Sequence, residues 1–95
     1  MESQSWSYRA ACSVVRQGGL EGLERLTDTL AELSDEALVG AAVDVVEAVL
    51  DQAATVVVLP PRGLDERIEA AMAVASAVRA GDGRGIVAVA ERLVR

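Results

Sequence analysis

Residues 34–63 read SDEALVGAAVDVVEAVLDQAATVVVLPPRG, and this stretch decides the fold. Ser34 is suited to cap a helix, and Asp35 and Glu36 behind it place negative charge where a helix dipole favours it. Projected at 100° per residue, Glu36, Gly40, Asp44, Glu47 and Asp51 fall within an arc of about 80°, while Leu38, Val39, Val43, Val46, Val49 and Leu50 take the other side. Pro60-Pro61 forces Leu59 out of the α region, so a long helix over 35–55 must end before it. With so narrow a stripe left for water, this helix is expected at the centre of the fold, packed by neighbours on two or three sides. The run Val56-Val57-Val58-Leu59 then lies beyond the helix as four consecutive large apolar residues that something must cover. Their β-branching permits an extended segment, but an otherwise helical chain offers it no partner strand.

Working outward, residues 5–17 read as a helix with Arg9, Ser13 and Arg16 on one polar face, stopped by Gly18-Gly19. Leu20, Leu23, Leu26, Leu30 and Leu33 recur at spacings of three, three, four and three, opposite Glu21, Glu24, Arg25, Asp28 and Glu32, which predicts an amphipathic helix over 20–33. After the Arg62-Gly63 turn, Leu64, Ile68, Ala71, Ala75 and Val78 form the apolar stripe of a helix over 64–80, with Asp65 and Glu66 at its start and Arg79 near its end. Gly81 is a C-cap and Asp82 an N-cap for a last helix over 83–94 carrying Ile86, Val89, Ala90 and Leu93.

The expected fold is therefore all-α, a single helical domain spanning 1–95 and built as a five-helix bundle. An internal similarity refines this. A shift of 63 residues lays Ala10, Ser13, Val15, Arg16, Gly18 and Gly22 on Ala73, Ser76, Val78, Arg79, Gly81 and Gly85. The first two and last two helices then read as two copies of one helical hairpin around the long third helix, a repeat-like arrangement that stacks to present a binding surface.

Composition narrows the function. The 95 residues are 52% hydrophobic with no Phe and only Trp6 and Tyr8 as aromatics, so the core must be built from Ala, Val and Leu. Each such side chain buries little area, and self-association is the natural remedy for a thin core. A net charge of −6 argues against nucleic acid or an anionic membrane surface as partner, because both need a basic footprint. Asp44, Glu47 and Asp51 within the apolar stretch 37–59 make a membrane span too costly. The lone Cys12 leaves no disulfide framework, Met1 to Tyr8 lacks the layout of a signal peptide, and a cytoplasmic protein is expected. The use of Arg for every basic residue reads as codon bias in a GC-rich bacterial gene.

Catalytic constellations are missing from the sequence. Cys12 has no His anywhere in the chain to make it a thiolate, so it reads as a packing thiol. The acids Asp44, Glu47 and Asp51 lie along a helix face instead of wrapping around an ion, and read as a solvated stripe. Gly81, Gly83 and Gly85 follow a helix and carry Asp82 among them, which suits a turn better than a phosphate cradle. The expectation is a non-catalytic module for protein–protein interaction, an adaptor or assembly piece that forms a homodimer and binds another protein, with no cofactor and no metal. The candidate interface residues are Trp6, Val56, Val57, Val58 and Leu59. The alternative is a small acidic stoichiometric regulator of the antitoxin, immunity-protein or phage-inhibitor kind.

Overall fold

The structure is a computed structural model that describes residues 6–59 and 62–94. Every regular element among them is helical. Helix α1 runs Trp6–Gly18, a 3-10 segment follows over Gly19–Arg25, α2 is Leu26–Ala31, α3 Asp35–Ala54, α4 Leu64–Arg79 and α5 Gly83–Leu93. The helix start at Ser5 and the turn at Pro60-Pro61 lie outside the described residues.

Local chemistry accounts for most boundaries. The Ser34 hydroxyl accepts from the amide of Ala37 at 3.3 Å, in extended backbone, and starts α3 as an N-cap should. Glu66 reaches back to the amide of Gly63 at 3.3 Å and opens α4. Asp82 accepts from the amide of Gly85 at 3.0 Å and opens α5. The turns after α1 and after α4 each use a glycine in the left-handed region, Gly19 and Gly81, both with φ of 68°.

The second element departs from expectation. A single helix over 20–33 does not form; its first half winds as a 3-10 helix and only six residues follow as α-helix. The spacing explains this. Leu20, Leu23 and Leu26 are three apart, the repeat of a 3-10 helix, and lie on one of its edges, whereas the four-residue step from Leu26 to Leu30 belongs to an α-helix. Leu23 and Leu30 are fully buried as a result. A 3-10 run this long needs tertiary support, and Gly22 supplies it: a Cβ there would stand 2.4 Å from the Val14 carbonyl oxygen, so only hydrogen lets the segment lie against the backbone of α1.

α3 packs against α1 on one side and α4 on the other, while the 3-10 segment packs against both α1 and α5. Leu38, Val45, Val46 and Val49 of α3 meet Val74 and Val78 of α4 and Ile86 of α5 in the core. Ala11, Ala42 and Ala48 are fully enclosed and let these helices approach closely. Arg79 ties the end of α2 to α4: its guanidinium donates to the carbonyls of Ala31 at 3.1 Å and Leu33 at 2.6 Å and pairs with Asp35 at 2.8 Å.

Candidate interaction surfaces

The acidic stripe of α3 lies at the surface and is tied to its neighbours. Asp44, Glu47 and Asp51 were expected to face water; Asp51 is exposed and the other two are half-buried, and each also holds a partner. The buried Ser7 hydroxyl donates to Asp44 at 2.7 Å, and the Tyr8 hydroxyl donates to Asp51. Arg67 of α4 pairs with Glu47 at 3.1 Å. The bond to Asp51, then burial, then a contact with Cys12 hold the Tyr8 phenol far above its ordinary pKa, because ionising it would set a phenolate against a carboxylate. Among the described residues, no group of three or more His, Cys, Asp and Glu is placed to hold a metal ion.

The rotation that delivers Asp44 and Asp51 to α1 turns the opposite edge of the arc outward. Val39 and Val43, expected on the covered side of α3, are both exposed. So are Leu64 and Ile68, the first two residues of the stripe expected to bury α4, together with Met72. Burial on α4 is confined to Ala71, Val74, Ala75 and Val78.

These exposed residues lie on neighbouring helices. The pairs Arg79–Asp35 and Arg67–Glu47 set the same antiparallel register, which puts Val43 level with Ala71 and Val39 level with Ala75. Leu64, Ile68 and Met72 are four apart and form a row along α4; Val39 and Val43 form another along α3. In projection at 100° per residue, Val39 and Val43 fall on the edge of α3 turned toward α4, and Ile68 and Met72 fall with Arg79 on the edge of α4 turned toward α3. The rows are staggered along the helix pair: Val39 and Val43 lie level with Ala75 and Ala71, beside Met72, whereas Leu64 and Ile68 lie level with Leu50 and Val46, where the Arg67–Glu47 pair crosses between the helices. The sequence reading placed Val39, Val43, Leu64 and Ile68 on covered stripes and did not name Met72 or Arg67. The signal available was the apolar spacing itself, which does not distinguish a covered stripe from an open one.

A second apolar surface lies where sequence reading placed one. After α3, Val56 is 79% exposed, Val57 50% and Val58 99%, with Leu59 half-buried. The amides of Val56 and Val57 still bond to the carbonyl of Ala53, so the run leaves the helix end as a turn and not as a strand. Beside it is a hollow of about 350 Å³ lined by Val15, Arg16, Leu20, Ala53, Val56 and Val94 among others. Trp6 is 45% exposed but begins α1, whereas Val15 and Arg16 close its other end; at 1.5 Å per residue that is roughly 14 Å along the axis, so Trp6 and the valine run are separate features.

Cys12 is buried and unpaired as a thiol. No helix among the described residues is long and apolar enough to cross a membrane. Comparison of the chain with protein-family models, curated proteins and solved structures finds no match.

Proposed function

We propose that this chain is a non-catalytic protein–protein interaction module that works as a homodimer, an adaptor or assembly piece. The observation that carries this reading is the uncovered run Val56–Val58 beside an apolar hollow. A projecting ridge next to a recess is self-complementary across a two-fold axis: the ridge of each copy can enter the recess of the other. Stable dimers bury roughly 1,200 Å² or more in total, so the contact would extend over the end of α1, through Val15 and Leu20, and onto Val94.

The fine arrangement of the fold suits such a module. α1 with its 3-10 segment and α4 with α5 read as two related hairpins flanking α3, each turning at a left-handed glycine. Their second arms differ, one 3-10 and one α, so the kinship rests on the turns and first arms.

Sedimentation at micromolar concentration, with circular dichroism alongside, tests the proposal. The parent chain should sediment as a dimer, and Val57→Asp should shift it to monomer with helicity kept, since Val57 is not part of the core. A monomeric parent, or a dimer indifferent to Val57→Asp, overturns it.

A further inference from the structure

We infer that residues 19–25 are a two-state element: the 3-10 winding is the docking-competent state, an α winding continuous with α2 is the other, and filling the hollow beside Val56 favours the first. The occupant of the hollow, a second copy, rests on the dimer proposed above; the two windings do not.

The same leucines fit both windings. At about 120° per residue, the turn of a 3-10 helix, Leu20, Leu23 and Leu26 share one edge, Glu21 and Glu24 a second, and Gly22 and Arg25 the third. At about 100° per residue Leu20, Leu23, Leu26, Leu30 and Leu33 fall within roughly 140°, and Glu21, Glu24, Arg25, Asp28 and Glu32 within roughly 100° on the other side. That is a complete amphipathic α-helix over 20–33. A 3-10 run of seven residues is long, because its hydrogen-bond geometry is poorer and such runs rarely pass about four residues; longer ones mark hinges or strain. Local preference therefore favours the α winding.

What holds the 3-10 form is tertiary. Gly22 lies against the Val14 carbonyl, Arg84 of α5 pairs with Glu24 at 3.2 Å, and Gly19 and Leu20 line the hollow with Val56 and Val94. Leu26 and Leu30 are buried in the core and anchor the far end. Rewinding backward from Leu26 turns Leu23 through about 60° and Leu20 through about 120°, and draws Leu20 about 3 Å toward α2. Leu23 stays within the apolar arc of either winding, whereas Leu20 leaves the hollow. A side chain seated against Leu20 thus finds its wall only in the 3-10 state. An occupant that touches one state and not the other shifts the population toward the state it touches.

Nuclear magnetic resonance of the full chain reads the winding residue by residue, since proton contacts between residues i and i+4 belong to the α-helix and those between i and i+2 to the 3-10 helix. The parent should show the 3-10 pattern over 19–25, with relaxation dispersion there from exchange with a minor α state. Val57→Asp, which removes the ridge that enters the hollow, should raise the population of that state severalfold. Gly22→Ala, which pushes the segment off α1, should give residues 20–25 the α pattern while the other helices keep theirs, and should weaken dimerisation by about tenfold or more. Sedimentation of the same samples gives the dimer constant. Absence of exchange over 19–25 in both the parent and Val57→Asp overturns the inference. So does a Gly22→Ala chain that keeps the 3-10 pattern or loses helical contacts there altogether. Equal exchange in a dimeric parent and a monomeric Val57→Asp overturns the coupling. A monomeric parent removes the dimer and the coupling with it, and the two windings are still decided by the same spectra.

Discussion

Replacing Gly22 by Ala puts the packing of the 3-10 segment to a direct test. The new Cβ would lie 2.4 Å from the carbonyl oxygen of Val14 and 3.0 Å from its carbonyl carbon, both backbone atoms of α1 that no rotamer can move. Ordinary carbon–oxygen contacts begin near 3.3 Å, so the segment must retreat by about 1 Å, loosening Leu23, which is fully buried one residue on. Forcing a methyl group into so tight a contact costs about 1–3 kcal/mol, against which the alanine returns less than about 1 kcal/mol of backbone entropy. The net loss should be on the order of 1–2 kcal/mol, a fall in melting temperature of about 5–15 °C for a domain of this size. Gly40→Ala is the matching control. It lies on the exposed side of α3 at an ordinary φ, an added Cβ there meets nothing within 4 Å, and the substitution should stabilise by about 0.5–1 kcal/mol. Urea titration and thermal melting by circular dichroism measure both. If Gly22→Ala is as stable as the parent, or if the two substitutions shift stability alike, close approach to α1 is not what holds residues 19–25 in their 3-10 form.

Two further outcomes follow from polar contacts. Tyr8 is the sole tyrosine, so ultraviolet absorbance reads its ionisation directly; its midpoint should lie well above the ordinary value near 10, and Asp51→Asn should bring it back down. Because folding raises this pKa, the stability it contributes is complete below about pH 10 and is lost as pH rises from there through the folded value; a midpoint near 10 in the folded parent would refute the Asp51 contact. Arg79→Lys should cost about 1 kcal/mol in urea titration, since an ammonium cannot reach the Ala31 and Leu33 carbonyls and Asp35 together, and no measurable loss would mean that the clamp is incidental.

The helical class and most element boundaries were legible in the sequence, because caps and glycine turns act within a few residues. Ser34, Gly81 and Asp82 stand at the helix ends they signalled, and α3, α4 and α5 begin where they were read. The 3-10 winding was present as the three-residue spacing of Leu20, Leu23 and Leu26, but choosing it over an α-helix needed the contact between Gly22 and α1, which sequence distance conceals. The covered face of each helix was settled only by tertiary structure. An apolar stripe such as Leu64, Ile68, Ala71, Ala75 and Val78 states which side chains gain from burial, not whether a neighbour arrives to bury them. On α4 the neighbour covers only the later part of it. On α3 the rotation is the one that joins Asp44 to Ser7 and Asp51 to Tyr8, partners 37 and 43 positions away, and that same rotation leaves Val39 and Val43 outside. The exposure of these residues is thus a product of how helices turn against each other, a quantity set by long-range contacts that local pattern does not carry.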